Sequence, residues 1–492
     1  MADLERANVS GSTGSLSRRS FLIGAGSLSA LAAMGFSGCS TANSSSEPAS
    51  GGSAADARSD VATSDVLANV RSNIVGIDAE VTLADGSKAQ AIGFDNAATT
   101  PTFEAILEEV NAQLAFYGSI GRGHGQKSVH STQIYEDGRE IVLDFVGATS
   151  DKYTVFYAGS TTDGLNKLAS ALITSKDDIV LTSRLEHHAN DLPWRHRATP
   201  IYIEVDDQGR LLLSEVERYL QENRVKYVSV SAASNVTGYV NDVHAIAKLA
   251  HQYGAQIIVD GAQIAAHRPF SMVGASPEES IDYFVFSAHK IYAPYGGGAV
   301  IGLTDELNKH MPQFYGGGTV DVVSDDNETY LPAPALYEAG SPNYPGVVSL
   351  LMAIETLKDI GFDSIVEHEQ RLMKRAIEGL LEIPDVTLYG DVENISDKVG
   401  IIVFNIEGHP HGKVAEELAA KRGIATRQGA FCSHPYVWRL LGISNEEITE
   451  MMKETLPDMP GMVRMSFGIY NNEDEVDIFI ETVSQIAATG SN

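Results

Sequence analysis

At 492 residues the chain is longer than one compact domain usually runs and points to two structural units, and its 43% apolar content is ample for sizeable cores. A formal net charge of −30 argues against nucleic acid or an anionic membrane surface as a partner of the folded part. Cys39 and Cys432 are the two cysteines.

The chain opens on a processing segment rather than on a fold. Ser17-Arg18-Arg19-Ser20-Phe21-Leu22 has the form of a twin-arginine export signal. The apolar stretch Phe21 to Phe36 spans 16 residues and is diluted by Gly, Ala and Ser. A membrane-spanning helix needs roughly 20. Phe36-Ser37-Gly38-Cys39 is similar to a bacterial lipoprotein cleavage box, with Cys39 as the lipidated residue. Residues 1–39 are therefore assigned to the signal, and the Ser-, Ala- and Gly-rich residues 40–64 to a flexible tether. The expected location is periplasmic or cell-surface, with the membrane touched only through the signal or a lipid on Cys39. Lipidation there leaves Cys432 as the single thiol of the folded part, so no internal disulfide forms.

An N-terminal segment over 65–104 precedes a large domain over 105–345, and a smaller one follows over 346–492. From Tyr153 apolar strands alternate with helices: YTVFYAG, a helix from Thr161 to Ser175, DDIVLTS, KYVSVSAA, a helix over Asp242 to Tyr253, QIIVDGAQ, YFVFSAH and GGAVIGL. Such alternation predicts an α/β fold with a mostly parallel sheet covered by helices. After Pro345 a long helical stretch leads into a smaller α/β unit containing VGIIVFNIEG, a helix from Lys413 to Arg422, IATRQG, VRMSFGIYN and a last helix from Glu473.

Chemistry concentrates where the predicted strands end. Lys290 closely follows the apolar run Tyr283 to Phe286 and precedes a Gly-rich stretch. An ammonium there is costly to desolvate unless it is paired or converted, and imine formation with an aldehyde is one conversion. Asp260 ends another apolar run, beyond a strand's carboxyl end, where open parallel sheets place ligand-binding groups. A lysine for a Schiff base and an aspartate for a pyridinium nitrogen are what pyridoxal 5'-phosphate asks of a protein. Ser160-Thr161-Thr162-Asp163-Gly164 lies between a strand and a helix, where hydroxyls and free N–H groups serve equally as a phosphate site or an ordinary cap. His187 and His188 are adjacent and point in different directions, and no nearby Cys/His spacing supports a metal.

Taken in order, the motifs resemble the class V aminotransferase superfamily of fold type I, most closely its cysteine desulfurase and selenocysteine lyase branch. They are DNAATT from Asp95, STTDG from Ser160, LEHHAN from Leu185, SNVTG from Ser234, VDGAQ and FSAHKIYAPYGGG around Asp260 and Lys290, EAGSPN from Glu338, RQGAFCSHP from Arg427 and VRMSFGIYN from Val463. The resemblance implies a large and a small domain, pyridoxal phosphate, a homodimer with its site at the subunit interface, and a small amino-acid substrate. It assigns Thr161, Thr162, Ser287 and His289 to the cofactor phosphate, and Ser341 to the phosphate bound by the neighbouring subunit. His187 would stack on the pyridine ring, Asp260 would hold the ring nitrogen protonated, and Asn235 and Gln263 would position ring and substrate. Lys290 would carry the cofactor and move the Cα proton. Arg464 would grip the substrate carboxylate, with Arg427 near the same pocket. Cys432 occupies the place of the desulfurase nucleophile, so the expected reaction is C–S or C–Se cleavage giving alanine and a persulfide on Cys432.

One motif departs from the branch. Where desulfurases carry Asn-x-His-Arg-Gly, this chain reads Ser119-Ile120-Gly121-Arg122-Gly123-His124-Gly125. That leaves the cofactor expectation intact and bears on the substrate alone. A class V aminotransferase or epimerase is the alternative enzyme, and an exported amino-acid-binding lipoprotein with a decayed site is the alternative outside enzymes.

Overall fold

A computed structural model of the chain describes residues 69–121, 123–453 and 459–489. The expected signal (1–39) with Arg18, Arg19 and Cys39, the tether (40–64) and Arg122 lie outside the described residues.

Every apolar run expected as a strand of the large domain is one: Tyr153–Ala158, Ile179–Ser183, Val225–Ser231, Gln256–Asp260, Tyr283–Ser287 and Gly298–Leu303. They join Thr199–Ile203 in a seven-stranded sheet. Across the sheet the order is Tyr153–Ala158, Gly298–Leu303, Tyr283–Ser287, Gln256–Asp260, Val225–Ser231, Ile179–Ser183, Thr199–Ile203. Its central pairings are parallel, and Gly298–Leu303 runs antiparallel to both of its neighbours. Tyr153–Ala158 therefore points the same way as the parallel strands, and the carboxyl ends of six strands open on one edge of the sheet. The strand that the pattern did not reveal, Thr199–Ile203, contains Pro200. Proline cannot donate to a ladder, which confines such a strand to the sheet edge, and the edge is where it lies.

The helix that starts the phosphate-type motif runs Thr161–Leu172, three residues shorter than the expected end at Ser175. Its stop has a local cause: the Asp178 carboxylate accepts from the N–H groups of Thr174 (2.9 Å) and Ser175 (3.2 Å), an alternative to helical bonding. At its start Ser160 Oγ accepts from Asp163 N–H at 3.2 Å. Gly164 lets this helix press on the sheet, since a Cβ there would come within 2.6 Å of methyls of Val285 and Val300.

The second unit is a four-stranded antiparallel sheet ordered Val386–Leu388, Ile401–Ile406, Met462–Ser466, Arg427–Gly429. The helices Phe362–Leu381, His411–Arg422 and Glu473–Ala487 pack on it. Its core includes Leu372, Phe404, Met465 and Phe479, and also Ile92 and Phe94 from the N-terminal segment. That segment thus serves both cores, since Val70, Ile74 and Phe103 belong to the large one. The boundary expected at Pro345 falls inside the helix Tyr344–Ile360, whose Val347, Leu351 and Leu357 are buried in the large core. The chain turns between the units at Gly361, where φ is +86°.

Candidate active site

Five strands deliver their following turns to one place. A cavity of about 330 Å³ there is lined by Thr161, Thr162, His187, Asn235, Asp260, Gln263, Ser287, His289, Lys290, Arg427, Cys432 and Arg464. These are the residues singled out in the sequence, with the exception of Ser341. Ser341 is exposed and lines a separate hollow beside Glu338 and Lys167. Gly121 and His124 are also exposed and do not line the cavity.

Lys290 closes a short 3-10 turn, Ala288–Lys290, straight after the buried strand Tyr283–Ser287. Burial among protein groups pushes its amine down to about 8; Asp260 opposes the shift and Arg464 adds to it. A substantial neutral fraction near neutral pH is what a nucleophilic amine requires. Asp260 is 4% exposed, and burial pushes its carboxyl up, against the pull of one hydrogen bond from Ala262 N–H to Oδ1 at 2.9 Å. Its other oxygen accepts no hydrogen bond from the described residues.

His187 is pushed down to about 3 by burial first, then by the charge of Lys290. Its Nδ1 accepts from Ala189 N–H at 3.0 Å, so the neutral ring carries its proton on Nε2. At the start of the helix Thr161–Leu172, Ser287 Oγ lies 2.7 Å from both the N–H and Oγ1 of Thr161. Hydroxyls and N–H groups thus converge at a helix N-terminus, as a phosphate requires.

The thiol sits on a left-handed turn. Phe431 and Cys432 have φ of +50° and +56°, conformations that cost a side-chain-bearing residue about 1–2 kcal/mol each. Three hydrogen bonds hold them: Asn235 Nδ2 donates to Phe431 O (2.8 Å), Ser433 Oγ donates to Asn235 Oδ1 (2.9 Å), and His188 N–H donates to Cys432 O (2.7 Å). Both ends of the Asn235 amide are thereby occupied by the thiol-bearing turn. The turn leaves Cys432 exposed, a free thiol at the cavity wall. Gln263 is likewise committed, its Nε2 donating to Ala97 O at 2.9 Å.

Arg464 is 3% exposed, and burial pushes it down to about 10, opposed by Asp95. Its Nη1 donates to Asn235 O (2.9 Å) and its Nη2 to Asp95 Oδ1 (3.1 Å), while its buried Nε has no partner among the described residues. An unpaired buried donor costs about 1–3 kcal/mol, which an incoming acceptor would recover.

Sequence reasoning assigned no role to Asp95 or Glu186, although both stand in quoted motifs. Glu186 lies behind the cavity and accepts from Ser183 Oγ (2.5 Å), Ser231 Oγ (2.6 Å) and Asn190 Nδ2 (2.7 Å). Burial pushes its carboxyl up to about 7, against those three bonds, with Asp260 adding to the rise.

The donor set fits pyridoxal phosphate: an amine for its aldehyde, a buried carboxylate with a free oxygen for its ring nitrogen, and a helix N-terminus for its phosphate. Together the two-domain architecture and this site define the fold type I class of pyridoxal-phosphate enzymes. The sequence matches the family described as Aminotransferase class-V over residues 92–479, and the chain belongs to that family. Among its relatives is a probable cysteine desulfurase of Mycolicibacterium paratuberculosis, 35% identical over 411 residues, covering 82% of this chain and 56% of the relative. A probable cysteine desulfurase of Halalkalibacterium halodurans is 34% identical over 394 residues, covering 78% of this chain and 90% of the relative. The chain spans 56% and 63% of the length of the first two curated relatives, which are mycobacterial. The apo structure of a cysteine desulfurase from Thermococcus onnurineus superposes with a TM-score of 0.72 at 31% identity, covering 81% of this chain and 95% of that one.

Proposed function

We propose that the chain is a cysteine desulfurase-like enzyme that holds pyridoxal phosphate on Lys290 and cleaves the C–S bond of an L-cysteine-type substrate. The observation that carries this reading is the free thiol of Cys432, held on a strained turn at the wall of the cavity that contains Lys290. Named relatives that are cysteine desulfurases support it. Neither an aminotransferase nor a decayed binding protein calls for a thiol there.

The cofactor supplies an electron sink for negative charge at the substrate's α-carbon. The protein's residues do the rest. Thr161, Thr162, Ser287 and His289 would hold the phosphate, neutral His187 would cover the ring face, and Asp260 would keep the ring nitrogen's proton. Arg464, with its vacant Nε donor, takes the substrate carboxylate and so fixes which bonds face Lys290. The neutral amine of Lys290 then removes the Cα proton. Cys432 Sγ, as thiolate, attacks the substrate sulfur. One S–S bond forms, and the C–S electron pair stays with the carbon, which is reprotonated to give alanine and a Cys432 persulfide. An amino-acid panel assayed for sulfide, alanine and keto acids tests the reading. L-cysteine should give alanine and, with a thiol reductant, sulfide in equal amounts; keto-acid production without sulfide would make it an aminotransferase.

The same reading includes a homodimer in which Ser341 serves the neighbouring subunit's phosphate. Ser341 is exposed, and its segment is tied to Tyr295 O by Asn343 Nδ2 (2.9 Å) and to Gly317 O by Gly340 N–H (2.8 Å). Tyr295, Phe314 and Tyr315 beside it are 52%, 53% and 62% exposed, an apolar surface suited to a second copy.

The enzyme is further proposed to be exported, folded and loaded, by the twin-arginine route, and anchored through a lipid on Cys39. Replacing Arg18 and Arg19 by Lys should retain it in the cytoplasm, because the pair is read as guanidinium rather than as charge. Cys39→Ala should move it from the membrane to the soluble fraction. Cell fractionation and immunoblotting read both, and normal export of the double Lys variant would remove the signal assignment.

A further inference from the structure

At the substrate end of the cavity two guanidiniums converge on one carboxylate. Arg464 Nη2 meets Asp95 Oδ1 at 3.1 Å, and Arg427 Nη2 meets Asp95 Oδ2 at 2.7 Å, with Arg427 Nε 3.4 Å from Oδ1. Both arginines line the cavity, whereas Asp95 stands behind them. Asp95 is itself held in place, bridged in parallel to Ser466 on the small-domain strand that carries Arg464. Lys290 and Asp260 would be taken up by the cofactor, and burial keeps His187 neutral, so the charge that meets a substrate carboxylate comes from Arg464, Arg427 and Asp95.

We propose that Asp95 is a specificity-determining positioning residue. It pins the Arg464 guanidinium and cancels one of the two arginine charges. One net positive charge remains, matched to an amino acid with a single free carboxylate and an uncharged side chain. This inference rests on the reading of Arg464 as the carboxylate holder. With Asp95 neutral the cavity end would carry two positive charges and would accept a second acidic group. Arg427 is half-exposed, so solvent screens part of the added attraction, and about tenfold is the expected scale of the change.

Calorimetric titration of the cofactor-loaded full chain with propionate and succinate tests this without turnover. In Asp95→Asn the ratio of succinate to propionate affinity should rise about tenfold over wild type. In Arg427→Gln, where Arg464 and Asp95 cancel, the ratio should fall. A ratio within twofold of wild type in Asp95→Asn overturns the proposal; should that variant not fold, an unchanged ratio in the partly surface-exposed Arg427→Gln does so instead. Arg464→Gln separates the two readings. If it binds propionate as wild type does, the carboxylate site lies elsewhere and the proposal falls with the substrate reading. If it loses propionate while Asp95→Asn leaves the ratio unchanged, only the role of Asp95 is lost.

Discussion

Lys290→Ala will leave a protein that borohydride cannot label. In the wild type, reduction of the pyridoxal-phosphate-loaded protein should fix a pyridoxyl group on the peptide containing Lys290, and mass mapping should find it nowhere else. The variant should still gather the cofactor weakly, through the helix start at Thr161 and the carboxylate of Asp260. Turnover should fall by about 10⁴-fold or more, because in the proposed mechanism one side chain both anchors the cofactor and moves the Cα proton. A second readout follows from the amine being pushed down to about 8. The neutral amine is the nucleophile, so the rate at which cofactor-free protein takes up pyridoxal phosphate should rise with pH and level off above about 8. Uptake that is flat from pH 6 to 9, or label on another lysine, would remove Lys290 from this role.

How much of this could be read from the sequence depended on whether a residue's partners were near it in the chain. Lys290 closely follows, and Asp260 ends, an apolar run that reads as a buried strand, so their position at the sheet's carboxyl edge was legible from local pattern. The thiol was legible through resemblance, but the turn that presents it was not. Asn235 lies 196 residues from Phe431, and nothing in either segment announces their hydrogen bond. Asp95 is the plainest case. Its partners are 332 and 369 residues away, on two strands of a sheet that exists only once the small domain has folded. The same limit set the domain boundary. Pro345 reads as a helix start, which it is, but only burial against the helices Glu104–Leu114 and Gln126–Phe145 reveals that Tyr344–Ile360 belongs to the large core.

Cys432→Ala should separate cofactor chemistry from sulfur chemistry. Alanine keeps the Cβ and faces the same left-handed backbone as the native residue, and the three hydrogen bonds that hold the turn come from Asn235, Ser433 and the His188 backbone. The fold, the absorbance of the loaded protein and its spectral response to added L-cysteine should therefore be unchanged, since none of these uses the thiol. Release of alanine from L-cysteine should fall by about 10³-fold or more, the scale expected when a covalent nucleophile is removed. L-selenocysteine should suffer less, because its weaker C–Se bond can break with less help from an attacking thiol. A structural cysteine would behave differently: its loss would lower the melting temperature and weaken both substrates alike. Unchanged desulfuration of L-cysteine by Cys432→Ala, with the fold intact, would therefore overturn the persulfide step, and the class V aminotransferase or epimerase chemistry would have to be tested in its place.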